Sequence, residues 1–271
     1  MDFERARIED VETRVKSAVE RAKEKQEELN AVVSFVDVDS QLADLANKDP
    51  HAPLYGMPIV LKDNVNMKGV RTTASSRILD NYIPVYDAHI SEKLKEAGAI
   101  VIAKSSMDEL GMGGTNKNAY TGKVNNPWDT TRISGGSSGG SAVLVASGVV
   151  PFAIGTDTGD SVRKPAAYNG IIGMKPTYGR ISRYGIIPYA SSLDHVGYFT
   201  TAIEDAAVAL EVLAGRDDRD MTSSYEPVPN YASDINSDIK GKKIAILDNV
   251  QEAITNAEIK ENFDALMKKL H

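Results

Sequence analysis

A chain of 271 residues that is 42% hydrophobic and 25% charged can bury a substantial core as a soluble globular protein. Its net charge of −7 opposes a direct, charge-driven hold on nucleic acid or an anionic membrane, so any RNA role has to be shared with a partner. There is no cysteine, which excludes disulfides, thiolate zinc sites and cysteine nucleophiles.

The opening "MDFERARIEDVETRVKSAVE" is charged from its second residue and does not read as a signal peptide. No apolar run reaches membrane-spanning length, so the expected location is the cytoplasm. From Phe3 to Leu29, the residues Ile8, Val11, Val15, Val19 and Ala22 recur every three or four positions among charges, which predicts an amphipathic packing helix. "AVVSFV" reads as a strand, "SQLADLAN" as a short helix, and "MPIVLKDN" as a buried strand that ends in polar residues. "DAHISEKLKEAGAIVIAKS" predicts a helix, a stop at Gly98 and an apolar strand. The alternation continues through "SAVLVASGVVPFAIGTD", "TAIEDAAVALEVLAG" and "KKIAILDN", with a last helix from Asn256 to Leu270. The expectation is an α/β fold of three layers, a mostly parallel or mixed sheet flanked by helices, in one domain over residues 1–271. The polar stretch from Arg216 to Gly241, with Pro227 and Pro229, reads as a surface excursion.

Three segments can carry chemistry. Lys62 stands at the carboxyl end of the apolar strand "PIVL"; taken alone it reads as a solvated lysine or one paired with Asp63. "SGGSSGGSAVLVASG" lacks the Gly-Lys-Ser/Thr of a phosphate loop and the spacing of a dinucleotide fingerprint, and it runs straight into an apolar helix as no linker would. Such packed glycines allow close backbone approach or unusual backbone geometry. In "GTDTGDSVRKPA" an apolar strand ends in Asp157, Thr158, Gly159, Asp160 and Ser161. The four histidines form no recognisable triad with a serine, so a base for a serine nucleophile has to be sought in lysine. Burial would keep Lys62 neutral, a second hydroxyl such as that of Ser137 can relay the proton, and the "TDTGDS" turn can aim backbone N–H groups at an oxyanion.

"GMPIVLKDNV", "GGSSGGSAVLVASG" and "GTDTGDSVRKPAAYNGIIGMKPTYGRIS", in this order, resemble the amidase signature family, whose members use a Ser-cisSer-Lys triad. The resemblance implies Lys62 as base, Ser137 as relay after a cis peptide bond, and Ser161 as nucleophile. It places the oxyanion hole at Thr158, Gly159 and Asp160. Asp157, Arg163 and Ser138 become supporting residues, Met112, Gly113 and Gly114 line the acyl pocket, and there is no metal. "MDELGMGG", "KPTYGRISRYG" and "ASSLDHVG" are most similar to the branch of the family formed by A subunits of tRNA-dependent amidotransferases. That likeness implies glutamine hydrolysis, with ammonia passed to a B subunit that amidates mischarged tRNA and a small C subunit clasping the two. It implies no cofactor in this chain, ATP and Mg belonging to the partner, and only indirect contact with tRNA. A stand-alone amidase acting on another small amide and an inactive scaffold are the alternatives.

Two departures bear on that choice. Family members are longer, and their later half supplies sheet strands and much of the glutamine pocket; a chain without it is expected to expose a sheet edge and to self-associate or bind a partner. The family motif reads Gly-Gly-Ser where this chain has Gly159, Asp160 and Ser161. If positive φ is required, Asp160 is strained, and a carboxylate about 4 Å from the oxyanion opposes it by roughly 4 kcal/mol, on the order of a thousandfold in rate. Alternatively, Lys164, where the family has Gln, pairs with Asp160 one helical turn away and turns the carboxylate aside.

Overall fold

The computed structural model describes residues 10–270. The stretch Phe3 to Glu9 of the expected first helix lies outside these residues. The remainder forms α1 (Val11–Leu29), which Asp10 caps by accepting the N–H of Thr13 at 3.0 Å and which Asn30 ends in the left-handed conformation at φ 50°. Val15, Ala18, Ala22 and Leu29 are its buried stripe. Arg14 is buried beside them because its guanidinium donates to the carbonyls of Gly56 at 2.9 Å and Tyr55 at 3.2 Å.

Six strands follow, β1 (Val32–Phe35), β2 (Pro58–Lys62), β3 (Ile100–Ser105), β4 (Phe152–Asp157), β5 (Ile172–Met174) and β6 (His195–Thr200). They form one open sheet in the order β1-β3-β2-β4-β6-β5. The central β3, β2 and β4 run parallel, whereas β1, β6 and β5 add antiparallel, so the sheet is mixed. The helices between them are α2 (Asp39–Leu45), α3 (His89–Glu96), α4 (Gly139–Ala146), α5 (Arg163–Asn169) and α6 (Ile203–Leu213). Parallel neighbours need crossovers, and α3 and α4 lie in the connections that supply them.

The sheet separates two apolar layers. Ile59, Leu61, Phe152 and Ile154 meet Ile90 and Leu94 of α3 and Ala206, Ala209 and Leu213 of α6 on one face. Val60, Ile102 and Ala153 meet Val15 and Ala18 of α1 and Val143 and Leu144 of α4 on the other. With both faces covered, β2, β3 and β4 are buried along their whole length, which is why they read as unbroken apolar runs. The start of α4 comes very close to the backbone beneath it: a Cβ on Gly140 would lie 2.5 Å from the Ser106 carbonyl oxygen and 2.6 Å from that of Ala31.

The polar stretch after Arg216 is not simply a surface excursion. Asp217, Asp220 and Ser223 are buried, because Ser182 donates to Asp217 at 2.6 Å and the Arg183 N–H donates to Asp220 at 2.8 Å. A short α7 (Tyr231–Asp234) follows. The chain divides into two compact units, the first ending at Ile235 and the second starting at Asn236. The second holds α8 (Asp248–Glu252) and α9 (Ala257–Leu270). "KKIAILDN", expected as a strand, has no strand structure, and its Ile244, Ile246 and Leu247 are exposed. A strand needs a neighbour to take its N–H and C=O groups, and among the described residues none pairs with it.

The close approach at Gly140 predicts that Gly140→Ala destabilises the first unit by about 1–3 kcal/mol, the usual cost of overpacking. Urea unfolding checks this, and an unchanged midpoint would mean that α4 has room to back away.

Candidate active site

The carboxyl ends of β2 and β4 lie side by side, and the first turn of α4 descends onto them, which brings residues distant in sequence to one point. Lys62, the last residue of β2, is fully buried there. Its Nζ lies 2.8 Å from the Ser137 hydroxyl, 2.8 Å from that of Ser138 and 2.9 Å from that of Thr156. Burial pulls the amine down to about 7, against the carboxylates of Asp108, Asp157 and Asp194, which favour its charged form. Asp63 is not its partner. That carboxylate faces the second buried lysine, Lys104, at 3.5 Å and accepts the Thr73 N–H at 3.1 Å.

The hydroxyl protons around Lys62 are not equivalent. Ser138 donates its one proton to the Thr156 carbonyl at 3.0 Å and accepts the Thr156 N–H at 3.2 Å. Ser137 and Thr156 keep theirs free to face the lone pair of a neutral amine. The Gly136–Ser137 peptide bond is cis. A Cβ on Gly136 would lie 2.0 Å from Oδ2 of Asp108, so only glycine fits against that carboxylate. Asp108 is the site residue the sequence reading missed. It is fully buried, its N–H donates to the Ser137 carbonyl at 3.1 Å, and its Oδ1 has no hydrogen-bond partner among the described residues. Its signal was available: an acidic residue directly after the buried strand "IVIAKSSM" and three positions before Gly111.

Ser161 is 5% exposed and sits between the end of β4 and the start of α5. The Asp157 carboxylate fastens this turn, accepting the N–H groups of Val162 at 3.0 Å and Arg163 at 3.3 Å and the Arg163 guanidinium at 3.0 Å and 3.2 Å. Burial works against the charged Asp157, but Arg163 and the Val162 N–H outweigh it and hold the carboxyl below its ordinary value. Arg163 also donates to the Gly159 carbonyl, and Thr158 donates to Asp194 at 2.6 Å. The N–H groups of Thr158, Gly159, Asp160 and Ser161 donate to no protein acceptor among the described residues. The Ser138 N–H to Ser161 carbonyl bond, 3.2 Å, ties the relay segment to this turn, and the Ser161 hydroxyl itself is not bonded to Ser137.

Asp160 carries no backbone strain of the expected kind. The non-glycine residues with positive φ among those described are Asn30, Ala74, Ser75, Leu110 and Asn116. Its carboxylate is ion-paired with Lys164.

A cavity of about 340 Å³ opens beside these groups, lined by Ser137, Thr156, Thr158 and Asn64 together with Arg183 and Asp220. Leu110 and Gly111 line it, whereas Met112, Gly113 and Gly114 do not. Met112 is half exposed, Gly113 packs on Asp108 and Gly114 lies under the Lys164 ammonium. A loop can be assigned to a pocket from its composition, but which of its residues face inward depends on the turn at Glu109–Gly111, where Leu110 takes φ 53°.

The family model for amidases matches residues 13–271. The chain belongs to the amidase family. It is 47% identical over 238 residues to the A subunit of glutamyl-tRNA(Gln) amidotransferase of Oenococcus oeni, covering 85% of this chain and 48% of that one. To the same component of the enzyme of a Geobacillus species it is 51% identical over 219 residues, covering 81% of this chain and 45% of the relative. The crystal structure of the glutamyl-tRNA(Gln) amidotransferase A subunit from Thermotoga maritima superposes with a TM-score of 0.89 at 37% identity, covering 99% of this chain and 58% of that one. This amidase-family chain thus spans about half the length of the curated relatives it matches. Among the described residues no helix is long and apolar enough to cross a membrane.

A lysine neutralised by burial makes the fold's stability depend on pH. Its folded value of about 7 lies below the ordinary 10.5, so between these values the unfolded chain binds the extra proton and stability rises with pH. Lys62→Met is expected to be more stable than the parent by about 1–4 kcal/mol at neutral pH, the gain shrinking toward pH about 10. Urea unfolding at the two pH values decides it, and a variant less stable at both would show that the hydroxyl contacts outweigh the cost of burial.

Proposed function

We propose that this chain carries the catalytic site of a glutamine amidohydrolase of the tRNA-dependent amidotransferase type. The observation that supports it most directly is the buried Lys62 amine, poised near neutrality and 2.8 Å from Ser137 on the cavity wall. In this reading the Ser161 hydroxyl turns onto Ser137 and attacks the side-chain carbonyl carbon of glutamine. The Ser161 proton passes to Ser137, whose own proton passes to neutral Lys62. The N–H groups of Thr158, Gly159 and Asp160 receive the negative charge on the oxygen, typically worth a few kcal/mol for each donor. The proton then returns through Ser137 to the leaving nitrogen, the C–N bond breaks and ammonia departs. Water cleaves the acyl-serine by the same relay and releases glutamate.

Asp157 and Arg163 act here by holding the nucleophile turn, and Ser138 by fixing the proton order around Lys62. Met112, Gly113 and Gly114 border the acyl pocket from outside the cavity wall. The relatives' names support a B subunit which accepts the ammonia, with a C subunit beside it, ATP and magnesium used on the partner, tRNA met only indirectly, and a cytoplasmic setting. The edge of β5, which has β6 as its one strand partner, and the exposed Ile244, Leu247 and Ile259 support partner docking or self-association of the chain alone.

A small fluorophosphonate tests the nucleophile without needing glutamine. Intact mass should show one adduct on the parent and none on Ser161→Ala, and with B and C subunits of a relative the parent should hydrolyse glutamine while Ser161→Ala does not. An adduct that survives in Ser161→Ala would remove Ser161 from the mechanism.

The pH profile of labelling should rise through about 7 as Lys62 loses its proton. Asp108 favours the charged amine, so Asp108→Asn should move that rise to lower pH. A rise that stays in place would mean that Asp108 does not act on Lys62.

A further inference from the structure

The two positions at which the nucleophile segment departs from the family motif, Asp160 and Lys164, are in contact. Lys164 Nζ pairs with Oδ2 of Asp160, and the Lys164 N–H donates to the Asp160 carbonyl at 2.8 Å. The neighbouring Arg163 is turned away onto Asp157 and the Gly159 carbonyl. The ammonium is also placed from its other side: a Cβ on Gly114 would lie 2.7 Å from Nζ, so the absence of a side chain at Gly114 leaves room for it.

Asp160 supplies one of the N–H groups that donate to no protein acceptor, and the side chain on that same residue bears a negative charge. A carboxylate free to rotate back over the turn would oppose any negative oxygen bound there. Drawn along the helix by Lys164, it lies one turn away and its charge is balanced. The side chains of Lys164 and Asp160 are 31% and 43% exposed, so solvent weakens the effect without abolishing it.

We infer that Lys164 is a positioning residue which holds the Asp160 carboxylate away from the oxyanion site, so that the two departures function as one neutral pair. This rests on Ser161 being the nucleophile. It accounts for an acidic residue in an oxyanion turn without making the chain inactive.

The test compares fluorophosphonate labelling of Ser161 in the parent, Lys164→Gln, Lys164→Arg and the double variant Asp160→Asn/Lys164→Gln. Lys164→Gln should label at least about tenfold more slowly, and the deficit should shrink when ionic strength is raised to about 1 M. Lys164→Arg should stay close to the parent, and the double variant should recover most of the rate. Equal rates for the parent and Lys164→Gln, or a double variant as slow as Lys164→Gln, would overturn the inference.

A second readout does not depend on reactivity at Ser161. A water-soluble carbodiimide activates the Asp160 carboxylate, the Lys164 amine displaces the urea, and the peptide holding both residues loses one water. Absence of that cross-link in the parent would also overturn the inference. A cross-link in the parent with no labelling of any of the four proteins would support the pairing and refute the assignment of Ser161.

Discussion

Everything in the site depends on a primary amine kept out of water at the end of a sheet strand. Lys62 has apolar layers on both faces of its strand and meets only hydroxyls, those of Ser137, Ser138 and Thr156, at its charged end. Hydroxyls can accept from an ammonium or donate to an amine, so they stabilise both protonation states and impose neither. A carboxylate in direct contact would have fixed the charge. The nearest carboxylates act on Lys62 through space, and burial prevails over them.

Lys104 shows the contrast inside the same fold. It is equally buried on the adjacent strand, but it meets Asp63 at 3.5 Å, the Val65 carbonyl at 2.7 Å and the Thr72 hydroxyl at 2.8 Å, and is lowered only to about 8. That lysine ties down the loop after β2. The difference between a structural and a proton-accepting lysine is thus made by the partner, not by depth. The same distinction runs through the nucleophile turn, where Asp157 is held charged by Arg163 while Asp160 is balanced by Lys164 nearer the surface.

Much of the fold was legible because burial on both faces leaves an unbroken apolar run, as in "PIVL" and "FAIG", and helices leave a three- and four-residue stripe, as in α1. The reading failed where a local pattern needs a neighbour that is not present. "KKIAIL" has strand composition but no strand beside it. The stretch containing Asp217 and Asp220 has loop composition, yet its carboxylates are drawn inward by Ser182 and Arg183, more than thirty positions earlier. Asp108 and the inward-facing Leu110 and Gly111 were missed for a related reason: a turn's composition does not say which of its side chains face the cavity.

The sequence by itself determined the order of helices and strands, the glycines that allow α4 to touch the backbone below it, and the one-turn spacing that lets Asp160 reach Lys164. All of these are local, governed by periodicity, side-chain volume and helical repeat. Only the tertiary structure decided which lysine keeps its carboxylate, which serine hydroxyl is free to face the amine, and that Lys62, Ser137 and Thr156 share one buried point. Those outcomes depend on strand register and helix packing across scores of intervening residues, where distance is set by the whole fold and not by any stretch of chain.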